Sequence, residues 1–153
     1  IKRPSELSKD NSSSESAWIH AINYIKKNYK IDLILGIQPT SPIRNKNDFD
    51  KAIKFFLKKK YDSLFSSNKI HDFNTWKINK GKLVSQYNYK KRKRREEIKN
   101  NFLENGSFYI FKSKEFLKKK NRLFGKIGKY DMEKKTMHQI DDKIDIKIIN
   151  SLM

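Results

Sequence analysis

Residues 38–44, Gln-Pro-Thr-Ser-Pro-Ile-Arg, form a polar loop that directly follows a short apolar run. Pro39 and Pro42 restrict the backbone on both sides of the two hydroxyl residues between them. A rigid loop can hold polar groups in fixed positions, and the Gln38 carboxamide both donates and accepts hydrogen bonds. The loop therefore has two interpretations: it binds a hydroxylated or amide-bearing ligand through Gln38, or it is a structural turn.

Three carboxylates, those of Asp141, Asp142 and Asp145, lie close together near the end of the chain, after a strand-like apolar segment. Carboxylates at the end of a strand can bind Mg²⁺, which takes few protein oxygens and completes its coordination with water and substrate phosphates. The same residues also fit the start of a helix, where Asp141 or Asp142 would cap the first turn. A metal site and a helix cap are both open at this point.

The densest basic run is residues 90–95, Lys-Lys-Arg-Lys-Arg-Arg. It is compatible with nucleic-acid binding, with a targeting signal or with recognition of phosphate and carboxylate, because arginine pairs with both anions through two hydrogen bonds. It also fits a solvated loop, and the one aromatic residue in the neighbouring Asn88-Tyr89 is not enough to predict a stacking platform for nucleic-acid bases. His71 and His138 are isolated and show no metal-ligand spacing.

The segments that must position these groups alternate between helical and strand-like patterns. Helices are predicted from residues 12–16 to about residue 28, from residue 47 or 48 onward, at 113–120 and at 141–152. Strands are predicted at 31–38, 62–67, 107–111 and 125–130, with a hairpin formed by 75–79 and 82–85. The strand at 31–38 is expected to be buried, in the manner of a parallel sheet.

Strands separated by helices predict an α/β sheet with helices on both faces, and ligands in such sheets bind beyond the carboxyl ends of the strands. That rule places the polar loop at 38–44 in the site. The residues expected to face the core from the first, second and last helices are Trp18, Ile22 and Ile25; Phe49, Ile53, Phe56 and Leu57; and Ile144, Ile148 and Ile149.

The composition fits one cytoplasmic domain. A chain of 153 residues can bury a core, and an aromatic content of 12% argues against disorder. The absence of cysteine excludes disulfides, thiolate metal sites and a cysteine nucleophile, and no apolar run approaches the roughly 20 residues needed to cross a bilayer. The net charge of +19 has two explanations, an anionic partner or a general bias toward lysine.

Several short motifs, taken in their order, resemble the CMP-sialate synthetase (acylneuraminate cytidylyltransferase) family. The resemblance covers nearly the whole of this chain. It corresponds to the C-terminal two-thirds of a family member. The matching segments are Arg3-Pro4-Ser5-Glu6-Leu7 followed by Asp10 and Ser13-Ser14, Gln38-Pro39-Thr40-Ser41-Pro42-Ile43-Arg44, Asp62-Ser63-Leu64-Phe65-Ser66, Phe73 to Lys77, Asn88-Tyr89 with Arg92 and Arg94-Arg95, Glu104–Phe111, Gly125-Lys126-Ile127 with Tyr130, and Ile140-Asp141 with Asp145.

The resemblance implies a Rossmann-like nucleotidyltransferase (GT-A-like) fold and transfer of CMP from CTP to a nonulosonic, sialic-type acid, with release of pyrophosphate. Such a transfer depends on positioning and on Mg²⁺ more than on covalent help. It further implies a homodimer, built by an insertion at about residues 68–104, and no nucleic-acid or membrane partner. By resemblance, the site residues are Arg3 and Ser14 for the nucleotide; Gln38, Ser41, Asn105 and Tyr109 for the sugar acid; Arg92 and Arg95 for its carboxylate or a nearby phosphate; and Asp141 for Mg²⁺ and catalysis.

The chain departs from the family pattern at three places. Gln139 stands where the first carboxylate of an Asp-x-Asp pair is common, and Glu96-Glu97 follows Arg95 where Gln-Asp is common. The chain also opens on Ile1, directly in a motif, without the N-terminal strand and glycine-containing loop for the CTP phosphates. We therefore expect a fragment of weak activity by itself. Two alternatives are a degenerate, inactive protein of the same fold and a basic nucleic-acid-binding module.

Overall fold

The helices and strands of the computed structural model, which describes residues 1–71 and 74–153 (Arg95 by its backbone alone), alternate along the chain as expected for an α/β domain. The α-helices are α1 Ser14–Ile25, α2 Asp48–Lys59, α3 Ser113–Lys119 and α4 Lys143–Leu152. The strands are β1 Leu33–Ile37, β2 Ser63–Ile70, β3 Trp76–Asn79, β4 Lys82–Ser85, β5 Asn101–Lys112 and β6 Ile127–Asp131. Short 3₁₀ turns occupy Ser5–Leu7, Tyr89–Lys91, Arg95–Glu97 and Lys134–Met137.

Four strands form one mixed sheet in the order β1-β5-β2-β6, which confirms the predicted fold class. β5 is antiparallel to both β1 and β2, and β6 is parallel to β2, so β1, β2 and β6 all point the same way. Their carboxyl ends meet at one side of the sheet, together with the first half of β5. We call this side the carboxyl edge.

β1 differs from its prediction. It is the outer strand of the sheet and pairs with β5 in antiparallel register. Its Leu33, Ile34 and Leu35 side chains are only half-buried, and Ile37 is exposed. A continuous apolar run predicts burial on both faces, but the run does not show which neighbours a strand will have.

β5 lies at the centre of the sheet and separates two apolar layers, one on each face, because its side chains alternate in direction. Phe108 and Ile110 face α2, whereas Tyr109 and Phe111 face α1 and α3. Helices thus cover both faces of the sheet, as predicted. The core residues of the two layers are Ala52, Phe56, Leu64, Phe108 and Ile110 on the α2 side and Ile22, Tyr109, Phe111, Phe116 and Phe124 on the other.

Four residues predicted to face the core are exposed: Ile25, Leu57, Ile144 and Ile148. On α2, Leu57 lies about 100° around the helix from the buried Phe56, beyond the stripe that contacts the sheet. On α4, only Ile149 is buried. Ile149 follows Ile144 by five positions, which places the two side chains about 140° apart around the helix, so one contact stripe does not include both.

The hairpin is confirmed. β3 and β4 pair in antiparallel register, with Trp76 opposite Ser85 and Ile78 opposite Leu83, and form a separate two-stranded sheet. The motif predicted at residues 73–77 is described from its second residue, Asn74, onward only, because Asp72 and Phe73 lie outside the described residues.

Across residues 1–71 and 74–153, none of the helices has the length and apolar character to cross a membrane.

Candidate functional site

The polar loop at 38–44 lies at the carboxyl edge, directly after β1. The backbone N–H of Gln38 donates to the Ser107 carbonyl of β5 at 3.2 Å. The Arg44 guanidinium reaches back along the loop and donates to the Gln38 carbonyl at 2.8 Å and to the Ser107 hydroxyl at 2.9 Å. Burial lowers the pKa of Arg44. The loop is therefore tied to β5 at both ends, which fixes the position from which the Gln38 side chain projects.

A buried polar network supports this loop from below. The hydroxyl of Ser41 donates to the Asn105 carbonyl at 3.1 Å, and the Asn105 side-chain oxygen accepts from the Ser66 hydroxyl and from the Ser107 N–H. The Asn105 amide nitrogen donates to the Thr136 hydroxyl at 3.3 Å. Ser41 and Asn105 were predicted to contact the substrate. Both are buried and bonded within the protein, where they brace the carboxyl edge, and their contact with a substrate stays a prediction.

Gly106 brings two glutamine side chains together. Its φ of +67° belongs to the left-handed region. A Cβ atom at this position would lie 2.7 Å from Oε1 of Gln38 and 3.1 Å from Oε1 of Gln139. The missing side chain therefore leaves the space into which both carboxamides project.

The segment that contains Asp141 runs beside the polar loop, because the N–H of Ile140 donates to the Thr40 carbonyl at 2.8 Å. Asp141 is exposed, and no described side chain donates to its carboxylate. The helix-cap interpretation is correct for Asp142: its carboxylate accepts from the Ile144 N–H at 2.9 Å and begins α4.

Asp145 completes this cap. Its carboxylate accepts from the backbone N–H groups of Asp142 and Asp141, each at 2.9 Å, and these bonds lower the pKa of Asp145. Among the described residues, no group of three or more His, Asp or Glu side chains is arranged to hold a metal ion. Of the three clustered carboxylates, Asp141 is the one that the cap does not use.

Tyr109 faces the α1 and α3 layer and takes part in a charged cluster. Its hydroxyl donates to the Glu104 carboxylate at 3.0 Å. The guanidinium of Arg122 lies between two rings, 4.6 Å from the ring centre of Tyr109 and 4.8 Å from that of Trp18, and donates to Glu15 at 2.6 Å. Burial, reinforced by the charge of Glu104, raises the pKa of Tyr109. The hydrogen bond from Arg122 lowers the pKa of Glu15.

This cluster connects the first turn of α1 to β5. Ser14, predicted to contact the nucleotide, is the first residue of α1 and lies next to Glu15, after the capping residue Ser13. Arg3 is exposed and donates to the Ser8 hydroxyl at 3.1 Å. In the described residues, Arg3 shares no hydrogen bond with α1.

The basic run is not joined to the polar loop by any hydrogen bond of the described residues. Arg92 is exposed, and it donates to the Asn74 side-chain oxygen at 3.1 Å when that amide is turned toward it. The side chain of Arg95 lies outside the described part of the structure. Beside the run, the Trp76 ring packs on the rings of Tyr87 and Tyr89, with centroids 6.0 and 5.4 Å away.

Sequence reasoning missed the supporting residues of the site. Gly106 appeared only as part of a motif, although a glycine inside a strand commonly marks a bulge. Thr136 and Arg122 carry no local signal, because their partners lie 31 and 107 residues away along the chain. Gln139 was visible only as a departure from a pattern.

No protein-family model matches the chain. Curated relatives do match it. The chain is 32% identical to N-acylneuraminate cytidylyltransferase A of Danio rerio over 148 residues, which cover 94% of the chain and 34% of that protein. It is 32% identical to N-acylneuraminate cytidylyltransferase of Oncorhynchus mykiss over 114 residues, which cover 72% of the chain and 26% of that protein.

A third relative is bacterial. The chain is 26% identical to post-translational flagellin modification protein B of Campylobacter coli over 163 aligned positions, which cover 100% of the chain and 67% of that protein. The chain thus spans about a third or less of the two fish enzymes. The relatives confirm the resemblance in the motifs: over nearly its whole length, the chain is homologous to the acylneuraminate cytidylyltransferases.

Proposed function

We propose that the protein containing this chain is a cytidylyltransferase that transfers CMP from CTP to a nonulosonic acid. A hydroxyl of the acid attacks the α-phosphorus, a new P–O bond forms, and the bond to pyrophosphate breaks. Two fish relatives carry the name of this activity. The structural observation that supports it best is the hydrogen bond from Ile140 to Thr40, which sets the Asp141 segment beside the polar loop at the carboxyl edge.

In this proposal the polar loop binds the sugar acid. Gln38 is half-buried and projects at the carboxyl edge, where its carboxamide suits hydroxyl and amide groups. Ser41 and Asn105 hold the loop and β5 in register beneath it. On the α1 side, Tyr109 lines the sugar-acid pocket, and Arg3 and Ser14 contact the nucleotide.

Asp141 fits a magnesium site of the usual kind, in which one or two carboxylates and the substrate phosphates hold the ion. Its carboxylate is exposed and not used by the α4 cap. When bound, Mg²⁺ neutralises negative charge on the phosphates. Asp142 and Asp145 are engaged by the backbone at the start of α4 and do not belong to this set.

The basic run and the hairpin are assigned to dimerisation. We propose that the insertion at about residues 68–104 contacts a second copy of the chain, and that Arg92 and Arg95 act on the carboxylate of the acid or on a nearby phosphate. One face of the hairpin supports this proposal: Trp76, Ile78 and Leu83 lie on the same side and are exposed.

The proposed activity is tested by expressing the chain from its gene, with any coding sequence that flanks it, and following pyrophosphate release. The substrates are CTP, Mg²⁺ and, in separate reactions, neuraminic, legionaminic and pseudaminic acids. We expect release with one acid and a loss of at least 100-fold in Gln38→Ala and Asp141→Ala, which corresponds to about 2.7 kcal/mol or more of transition-state stabilisation. Asn150→Ala, which removes an exposed carboxamide on α4, is the matched control.

Two results would contradict the proposal. If a folded protein releases no pyrophosphate with any acid, the degenerate, inactive alternative is correct. If release occurs and Asp141→Ala leaves it unchanged over a range of Mg²⁺ concentrations, the assignment of Asp141 is wrong even though the reaction stands.

A further inference from the structure

The carboxamides of Gln38 and Gln139 come together although 101 positions separate them in the sequence. Both side-chain oxygens lie about 3 Å from the place where a Cβ of Gly106 would be. The two oxygens therefore lie no more than about 6 Å apart, close enough for one hydrogen-bonding atom at about 2.9 Å from each oxygen to bridge them. The two glutamines therefore face a common small volume above Gly106.

The backbone on each side of this volume is fixed. Gln38 is held by β5 and by Arg44, and Gln139 precedes the Ile140–Thr40 hydrogen bond. Both side chains are half-buried, and no described group donates to or accepts from either carboxamide. A ligand that supplies the missing hydrogen bonds removes the free-energy cost of leaving such a half-buried polar group unsatisfied.

The chemistry of the pair selects the kind of ligand. A carboxamide is uncharged and offers one oxygen and two N–H donors, so two of them match a group that both donates and accepts, such as a hydroxyl or an amide. Anions are better held by arginine, and Mg²⁺ by carboxylates. The pair is therefore suited to an uncharged polar substituent.

We propose that Gln139 is a substrate-binding residue that acts with Gln38 to recognise a hydroxyl or acylamino substituent of the sugar acid. This inference rests on the proposed cytidylyltransferase function. It gives Gln139 a role in selecting the acid and none in holding the metal.

The test compares Gln139→Ala with the unsubstituted protein in two measurements: the KM values for acid and for CTP, and binding of the acid without CTP, followed by calorimetry. N-acetylneuraminic acid and analogues that each lack one hydroxyl or the acylamino group are the probes. We expect Gln139→Ala to raise the KM and the Kd for the acid about ten-fold and to leave the KM for CTP and the Mg²⁺ requirement unchanged. Asn150→Ala should change neither KM.

The analogues show which substituent is read. One analogue should bind the unsubstituted protein about ten-fold more weakly than the parent acid does. Gln139→Ala should bind that analogue and the parent acid equally well, because the substitution and the missing group remove the same interaction. Equal rises in both KM values, or a changed Mg²⁺ requirement with an unchanged Kd for the acid, would overturn the inference. Failure of the proposed function is distinguishable from failure of this inference, because the unsubstituted protein would then release no pyrophosphate. In that case the calorimetric comparison still decides the role of Gln139.

Discussion

At the scale of single residues, the space above Gly106 is the feature that the site depends on most. Gly106→Ala should lower the free energy of unfolding by about 1–2 kcal/mol, because an L-residue is strained at a φ of +67°. It should also raise the KM for the acid, since the new Cβ would displace the Gln38 carboxamide 2.7 Å away. Denaturant unfolding and steady-state kinetics measure the two effects.

The matched control is Gly81, at the hairpin turn. Its φ of +74° imposes a similar strain, but no atom lies within 4 Å of the added Cβ. Gly81→Ala should therefore lower stability without a change in the KM for the acid. If both alanine variants raise that KM equally, the crowding argument is wrong.

The neighbours Asp141 and Asp142 should separate function from stability. Asp142→Ala removes the α4 cap and should cost about 1 kcal/mol in urea unfolding. Asp141→Ala should leave the free energy of unfolding nearly unchanged, because the α4 cap does not use its carboxylate. It should lower only the Mg²⁺-dependent release of pyrophosphate. A loss of stability in Asp141→Ala as large as that in Asp142→Ala would contradict this division.

At the scale of elements, adjacent residues of α2 test how the helix packs on the sheet. Phe56 is 2% exposed and lies in the core, whereas Leu57 is 60% exposed. Phe56→Ala should lower the free energy of unfolding by about 3–5 kcal/mol, and Leu57→Ala should change it by less than about 0.5 kcal/mol. Comparable losses from the two variants in urea unfolding would show that α2 is rotated from the described position.

The Glu15–Arg122 pair joins α1 to the segment after α3 and should make stability depend on pH. The pKa of Glu15 is lowered in the folded protein by the hydrogen bond from Arg122. A lowered carboxyl pKa contributes stability above the unfolded-state value of about 4.3 and loses it as the pH falls through the folded-state value. Glu15→Gln should therefore cost about 1–3 kcal/mol at pH 7, and this cost should shrink progressively as the pH falls below about 4.3.

Urea unfolding between pH 7 and pH 3 measures this difference. Arg122→Met provides the control background, because the pH-dependent effect of Glu15→Gln should become much smaller once the guanidinium is absent. A pH-dependent effect that is undiminished in Arg122→Met would show that Arg122 is not the main cause of the lowered pKa of Glu15.

Local patterns were sufficient to predict the type and order of the elements but not their neighbours. The hairpin followed from its turn at residues 80–81, and α3 from the lysine-rich segment at residues 113–120, because both signals lie within a few residues. The outer position of β1 and the insertion of β5 between β1 and β2 depend on pairings between residues 31 to 79 positions apart, which no local pattern encodes. In the site, the motifs supplied Gln38 and Asp141, whereas Gly106 acquires its role only through the two glutamines that converge on it.

At the scale of the whole molecule, net charge and association are linked. Each chain carries a net charge of +19, so two copies repel each other at low ionic strength. If the exposed hairpin face pairs with a second copy, added salt should strengthen the dimer by screening that repulsion. Binding of a nucleic acid has the opposite dependence, because salt competes with the contacts to phosphate.

The final prediction uses this difference in sign. Light scattering after size exclusion, at several protein and salt concentrations, should give twice the mass of the expressed polypeptide, with a dimer that tightens between about 50 and 200 mM salt. Ile78→Asp, on the exposed face of the hairpin, should give the monomer mass under the same conditions. Asn79→Asp adds the same charge on the opposite face and should keep the dimer. A dimer retained by Ile78→Asp would exclude the hairpin face as the interface. If the unsubstituted protein is a monomer at every salt concentration and binds DNA or RNA tightly in a way that salt weakens, the nucleic-acid alternative is favoured.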